Sequence, residues 1–263
     1  THTDDGGVNL WVANLDTLQA KALTLVKLNA NLGQPYTWLK DSESLLIKTL
    51  PENRKELIDT GQTVPSGPTV STSDGAKAQN RTYQDLLNNP QDEFNFEQLA
   101  RSDIKRINLA GQLKHWAGTA MYRDLEVSPD GDYVMVTRLQ RPFSYLVPYN
   151  RFPSQTDIMK KSGKLVKTVN QVPLVEDLPK GFMAVRTGKR NLQWRSDQAA
   201  TLIWVKALDG GDPENQVDFR DEVFQQPAPF KKSAESLIKT PLRFYQLTWG
   251  DEDHAVFFDY WWN

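Results

Sequence analysis

The sequence predicts an all-β fold, a partial β-propeller of about four blades of antiparallel strands with a small helical insertion. β-branched and aromatic runs recur in pairs across short turns rich in Asp, Ser and Gly. Four of these hairpins share one layout, in which the second strand is the more apolar one; they are centred near Asp41, Asp130, Asp197 and Asp251. Shorter hairpins lie between them. This alternation of inner and outer hairpins is what a four-stranded propeller blade requires.

The clearest hairpin lies within residues 124–153. Its two strands, Leu125–Val127 and Tyr133–Thr137, flank the turn Ser128-Pro129-Asp130-Gly131. Proline presets φ at the first corner, aspartate bonds its own backbone, and glycine accepts the positive φ that closes the turn. Tyr133–Val136 is apolar on both faces, which predicts a buried strand.

The other elements follow in order. An opening hairpin turns at residues 5–7; later hairpins join 35–39 to 45–48, 103–109 to 113–116, 157–159 to 164–169, 191–195 to 201–205, and 244–249 to 255–262. Residues 51–102 are predicted to be an insertion: a proline-rich loop to about Gln79, then helical spacing from Arg81 to Ile104. Pro90 interrupts that spacing, which predicts two short helices.

The spacing of the four hairpins, roughly 50 to 90 residues, exceeds the ~40–50 of compact propeller repeats, and loop insertions explain the difference. A β-sandwich is the rival architecture, but it predicts no alternation of inner and outer hairpins. Both chain ends are interpreted as cuts inside a larger β protein, so residues 1–263 form a propeller fragment. Its open blade edges predict self-association between chains.

Composition excludes several classes of function. A formal net charge of −2 gives no global case for nucleic acid or an anionic membrane, and no run approaches the roughly 18 apolar residues of a membrane span. There is no cysteine, which excludes thiolate chemistry and suits a bacterial cytoplasm or periplasm equally. The eight tryptophans lie mostly in predicted strands, where inter-blade core is their expected role.

Candidate catalytic and metal-binding residues are sparse. The histidines His2, His115 and His254 have no partner at ligand spacing, so neither a metal nor a cofactor is predicted. The acids beside His254 are interpreted as an exposed hairpin tip. Glu176 and Asp177 are adjacent, and adjacent strand residues point to opposite faces. No serine has the Gly-x-Ser-x-Gly setting of a nucleophile elbow, so no catalytic residue is assigned.

Four stretches resemble the propeller of the glutamyl endopeptidases, serine peptidases of the prolyl oligopeptidase clan found in plastids and in bacterial relatives. They are NRTYQDLL (80–87), LQRPFSYLVPYNRFP (139–153), VPLVEDLP (172–179) and VRTGKRNLQWRSDQAATLIWVKALDGGD (185–212); the opening THTDDGGVNLWVANL is similar too. The resemblance implies an N-terminal propeller over a C-terminal α/β-hydrolase domain that holds a Ser-Asp-His triad. That domain is not in this chain, which should be inactive alone.

The resemblance therefore implies a non-catalytic propeller segment that packs on the hydrolase domain and limits the entry of peptide substrates. The alternative is a stand-alone propeller that binds a protein or ligand. A periplasmic location follows from the bacterial relatives, with a cytoplasmic one as the alternative.

Arginines mark the candidate substrate-binding residues. A peptidase that prefers Glu needs a cationic group to receive that carboxylate, and the planar fork of arginine does so bidentately. Arg141 and Arg151 flank the loop-like segment PFSYLVPYN, which can face the central cavity, and both are predicted to bind substrate. The alternative is a structural role, in which they pair with acids such as Glu126 or Asp124.

Overall fold

The computed structural model describes residues 1–59 and 83–262. Within these ranges the chain forms seventeen strands and one α-helix. The strands are β1 (His2–Asp4), β2 (Gly7–Asn9), β3 (Trp11–Asn14), β4 (Gln19–Ala22), β5 (Tyr36–Trp38), β6 (Ser44–Thr49), β7 (Ser102–Asn108), β8 (Leu113–Val127), β9 (Tyr133–Leu139), β10 (Ser154–Lys160), β11 (Leu165–Val172), β12 (Arg190–Trp194), β13 (Thr201–Ala207), β14 (Asp221–Pro227), β15 (Glu235–Thr240), β16 (Arg243–Trp249) and β17 (Ala255–Tyr260); the helix is α1 (Pro90–Ala100).

The strands follow one another in antiparallel meanders. β5 to β11 form a seven-stranded sheet in chain order, β12 to β15 a four-stranded sheet, and β1–β2, β3–β4 and β16–β17 are hairpins. The long strand β8 serves two units, because residues up to Ala120 pair with β7 whereas residues from Met121 pair with β9. The seven-stranded sheet thus consists of two four-stranded halves, β5–β8 and β8–β11, which share β8. The predicted all-β class is confirmed.

The four predicted hairpins of similar layout are all present, as β5–β6, β8–β9, β12–β13 and β16–β17. At the β8–β9 turn, Asp130 accepts a hydrogen bond from the backbone N–H of Asp132 at 3.0 Å, and Gly131 has φ +77°. The predicted turn chemistry is therefore observed. The blade count stays a prediction, because the last of the four units has two strands.

The core lies on both faces of β9. Val134 and Val136 pack in a cluster with Leu46 and Ile104 from the first half of the sheet. Met135, between them in sequence, packs on the opposite side in a cluster that contains Trp204 of β13. Fully burying each such side chain stabilises the fold by about 1.5–3 kcal/mol. The continuous apolar run thus reflects a strand between two packed neighbours.

The helical insertion differs from the prediction. Residues 83–89 are not helical, and the helix begins at Pro90 instead of breaking there. Proline is tolerated at the first helical position because its missing N–H has no intrahelical partner there. Asn89 caps the helix by accepting a hydrogen bond from the Asp92 N–H at 2.8 Å. Residues 60–82, which include part of the predicted loop and helix, lie outside the described residues.

The tryptophan prediction was wrong for three of the eight residues. Trp116 and Trp204 are buried and Trp194 packs against the core, but Trp11, Trp38 and Trp262 are exposed by more than 40%. Trp11 lies in a two-stranded hairpin, Trp38 in an edge strand, and Trp262 follows the last strand, β17.

Candidate functional site

A cavity of about 410 Å³ lies between the second half of the seven-stranded sheet and the segment that enters β12. Its floor is one face of the sheet. Because successive side chains of a strand alternate between faces, residues two apart share the cavity side. The floor is formed by Met135 and Thr137 of β9, Ser154 and Thr156 of β10, and Asn170 and Val172 of β11.

A β-bulge in β8 brings charged residues to this face. Tyr122 pairs with Arg138 and Asp124 with Thr137, so Arg123 is an extra residue without a partner in β9. A bulge interrupts the strict alternation of side chains. As a result, Arg123 and its neighbour Asp124 both line the cavity, together with Glu126.

A second irregularity shapes the opposite wall. In β12 the pairing shifts between Arg190 and Gln193, and the two residues between them, Asn191 and Leu192, line the cavity. Asn191 has φ +50°, in the left-handed region that asparagine tolerates better than most residues.

Three of the family-like stretches meet at this cavity. Residues 139–153 contribute Arg151, residues 172–179 contribute Val175, and residues 185–212 contribute Arg186. The first two stretches are bonded to each other. The Val175 N–H donates to the carbonyl of Arg151 at 3.0 Å, and the Ser144 hydroxyl donates to the Glu176 carboxylate at 2.6 Å.

More positively than negatively charged side chains line the cavity. Its charged lining residues are three arginines and two acids: Arg123, Arg151, Arg186, Asp124 and Glu126. The Nε of Arg123 lies 2.6 Å from Asp124. Arg186 donates to the backbone carbonyls of Thr187, at 2.9 Å, and Lys189. Burial lowers the pKa of Arg186 to about 10, and the positive charges of Arg190 and Arg123 add to this shift. Arg186 therefore lies in an environment with a deficit of negative charge.

Glu126 behaves differently from an ordinary surface acid. Glu126 is exposed and lines the cavity. Partial desolvation there raises its pKa to about 7, and the neighbouring Asp124 carboxylate adds to the effect while Arg123 opposes it. The pKa of this carboxyl group therefore lies closer to neutral pH than that of an ordinary glutamate.

The two arginines that the sequence predicted to bind substrate have different surroundings in the structure. Arg151 lines the cavity, with its guanidinium carbon 5.2 Å from the ring centre of Tyr83. Arg141 is not among the lining residues. It forms ion pairs with Glu93, at 2.6 Å, and Glu97, at 2.9 Å, both on α1. Acids on α1, not Glu126 or Asp124, therefore provide its structural partners. Substrate binding by either arginine stays a prediction.

The sequence interpretation missed Arg123 and Glu126 as members of a site. Nothing in the local pattern marks the bulge at Arg123, since it depends on the register with β9. Arg186 lies in the family-like stretch 185–212. Three other arginines in or beside these stretches, Arg138, Arg190 and Arg195, form ion pairs with Asp157, Asp221 and Asp197.

Other candidate residues have structural surroundings. His254 lies at an exposed hairpin tip, with Nδ1 2.9 Å from Asp251, as predicted. In the described part of the chain, no group of three or more His, Asp or Glu residues is placed to hold a metal ion. A search of the same residues finds no helix with the length and apolarity needed to cross a membrane.

The sheets and the cavity show the class of protein: it is an all-β protein of antiparallel meanders with a polar cavity where two sheets meet. No protein-family model matches the chain. Two curated proteins do, each named a probable chloroplastic glutamyl endopeptidase. The one from Oryza sativa subsp. japonica is 34% identical over 98% of this chain and 28% of its own length. The one from Arabidopsis thaliana is 35% identical over 97% of this chain and 27% of its own length.

The chain is thus a homologue of one segment of the glutamyl endopeptidases, as the resemblance indicated, and it spans just over a quarter of the curated relatives it matches. Among solved structures, an acylaminoacyl peptidase in complex with Z-Gly-Gly-Phe-chloromethyl ketone matches with a TM-score of 0.46 and 10% identity, over 89% of this chain and 28% of that one. An oligogalacturonate lyase in complex with manganese matches with a TM-score of 0.45 and 13% identity, over 92% and 50%. The relatives' plastid location lends no support to the predicted periplasmic one, and the compartment stays a prediction.

Proposed function

We propose that this chain is a non-catalytic β-propeller segment of a glutamyl-endopeptidase-like serine peptidase. It packs on an α/β-hydrolase domain, which supplies the chemistry, and limits which peptides reach that domain. The observation that supports this most directly is that three family-like stretches meet at one cavity. A segment with a purely structural role does not require these stretches to line a common cavity. The homology to glutamyl endopeptidases over nearly the whole chain supports it as well.

Within this function, we assign Arg151 the larger share of substrate binding. Its side chain lines the cavity, whereas that of Arg141 does not line it and pairs with two carboxylates of α1. A substrate carboxylate has to displace Glu93 or Glu97 to reach Arg141.

The test uses a full-length enzyme in which this chain is joined to its catalytic domain. Arg151→Gln should lower kcat/KM for peptides cleaved after Glu by about 10- to 100-fold, which corresponds to one charged hydrogen bond, and should change cleavage of a matched Gln peptide much less. Arg141→Gln should have a smaller effect. Arg106→Gln removes an equal charge from an exposed pair with Asp41 and serves as the control. Unchanged kinetics on Glu peptides for both variants would remove the two arginines from the proposal.

A second candidate function is a stand-alone binding module. It is favoured by the cavity itself, which is lined by charged and amide side chains that can contact a bound molecule. A peptidase assay of the 263-residue chain beside the full-length protein separates the candidates. The first requires activity only in the longer protein, and the second requires none in either.

A further inference from the structure

We propose that Lys48 is a positioning residue: its ammonium group fixes the bulge of β8 and so determines that Arg123 lines the cavity. Lys48 belongs to β6 and is 1% exposed. Its role concerns the shape of the cavity wall. It does not depend on which molecule the cavity binds or on the proposed function, so it can be tested on this chain alone.

Backbone carbonyl oxygens surround the ammonium group. Lys48 donates hydrogen bonds to the carbonyls of Tyr122 and Arg123, at 3.3 Å each, and to that of Leu32. An ammonium group has three donors, so these bonds use all of them. Asp124 attracts the ammonium group electrostatically but, among the described residues, forms its ion pair with Arg123.

Two of these carbonyls belong to the bulge. The register between β8 and β9 shifts after Tyr122, and Arg123 is the extra residue. A bulge disrupts the ladder and leaves its extra residue without a cross-strand partner. Lys48 supplies hydrogen-bond donors to the backbone at this point. Because the third carbonyl, that of Leu32, lies in the segment before β5, one cation connects that segment to the bulge.

The segment before β5 approaches the bulge too closely for a side chain. Gly33 has φ +64°, and a Cβ added there would lie 2.3 Å from the carbonyl oxygen of Arg123 and 3.5 Å from the Nζ of Lys48. Glycine adopts this backbone conformation and allows this approach without strain. A substitution at Gly33 therefore disturbs the same bulge while the lysine stays in place.

Stability alone does not account for a cation at this position. Burial lowers the pKa of Lys48 to about 8, with Asp124 opposing the shift, so folding disfavours the charged form of this side chain. An apolar side chain would fill the space without that cost. The ammonium group instead selects the bulged register of β8, because that register brings two carbonyls within its reach.

Nuclear magnetic resonance of the isotope-labelled chain tests the proposal. In the native chain the Nε–H of Arg123, which lies 2.6 Å from Asp124, should give a resolved and slowly exchanging signal. Lys48→Met should abolish that signal and accelerate amide exchange in residues 121–125 about tenfold or more relative to β13, because the bulge then opens locally.

Two further variants complete the test. Lys161→Met removes an exposed lysine that pairs with Asp132, and it should change neither the Arg123 signal nor the exchange rates. Gly33→Ala should reproduce both effects of Lys48→Met with the lysine in place. Far-UV circular dichroism establishes that each variant is folded. If Lys48→Met is not, Gly33→Ala and the Nζ signal of native Lys48 replace it, since an ammonium group held by three carbonyls should give a resolved signal at neutral pH.

Three results would overturn the proposal. The first is the absence of either the Arg123 or the Lys48 signal from the native chain. The second is equal acceleration of exchange in β8 and β13 of Lys48→Met, which indicates a general loss of stability and no role at the bulge. The third is an Arg123 signal that survives unchanged in Lys48→Met or in Gly33→Ala.

Discussion

Arg243 lies against Asp209, with 2.6 Å between the guanidinium Nη2 and the carboxylate Oδ2, where neither side chain is exposed by more than 2%. Arg243 is the first residue of β16, and Asp209 follows β13. Arg243 also contacts Asp221 at 3.2 Å, and Arg220 contacts Asp209 at 3.1 Å. This buried group of charges joins the β16–β17 hairpin to the four-stranded sheet. Burial of charge is tolerated there because each group has an opposite partner.

Arg243→Ala should lower the free energy of unfolding by about 3–5 kcal/mol, because it leaves Asp209 and Asp221 buried with one partner fewer. Urea unfolding measures this. The control is Lys161→Ala, which breaks an exposed pair with Asp132 and should cost less than about 1 kcal/mol. Equal losses in the two variants would show that the buried group adds nothing.

Acid should destabilise the protein through Asp209. Burial alone raises its pKa, but hydrogen bonds from Arg243 and Arg220 outweigh burial and hold the pKa below its usual value. The resulting stability is fully present above the unfolded pKa of about 4 and is lost as the pH falls through the folded value. Asp209→Asn should therefore be less stable at pH 7 but lose less stability on acidification below pH 4. Urea titrations at several pH values measure both effects, and an unchanged acid limb would contradict the assignment.

Glu126 should have the opposite pH dependence. Its pKa in the folded protein, about 7, lies above the unfolded value, so folding favours the protonated form. Its contribution to stability should decline as the pH rises from about 4.5 through 7, and the decline should be complete above that range. Glu126→Gln should remove this decline. Thermal melts of both proteins at pH 5, 6, 7 and 8 compare them; parallel profiles would place the pKa of Glu126 in the ordinary range.

Two adjacent glycines offer a matched pair. Both have positive φ, +70° at Gly210 and +82° at Gly211, but a Cβ on Gly211 would lie 2.0 Å from the carbonyl oxygen of Val185, whereas one on Gly210 meets nothing within 4 Å. Gly210→Ala should cost about 1–2 kcal/mol from its backbone conformation alone. Gly211→Ala should cost more, because it adds the clash with the Val185 carbonyl oxygen to the same backbone cost. Urea unfolding of the two variants measures the difference; equal losses would exclude the clash.

Self-association stays a prediction, and β17 is the strand on which to test it. Within the described residues β17 pairs only with β16, and Val256 and Phe258 are more than 50% exposed. Exposed apolar edges favour pairing between chains, and lysine opposes it. Light scattering should show a mass that rises with concentration, and Phe258→Lys should reduce that rise. A strictly monomeric native chain at high concentration would refute the prediction.

The hairpins could be predicted from local sequence signals. At Ser128-Pro129-Asp130-Gly131 the turn depends on residues within four positions, and the apolar run of β9 records burial on both faces. Such short-range signals can be recognised in a single sequence. The β14–β15 hairpin was missed because β14, DEVFQQP, is polar although Val223 is fully buried. Pro90 was ambiguous because proline both ends and begins helices.

Which charged side chains meet depends on how the sheets pack. Arg123 and Asp124 share a cavity because β8 contains one more residue than β9 at that point. Arg243 and Asp209 pair because a hairpin packs against a sheet, and Arg141 turns to α1 because the insertion lies beside its loop. Each of these depends on register or on contacts between residues far apart in the chain. Periodicity and turn residues are local properties, so they predict the strands and turns but not which side chains the packed sheets bring together.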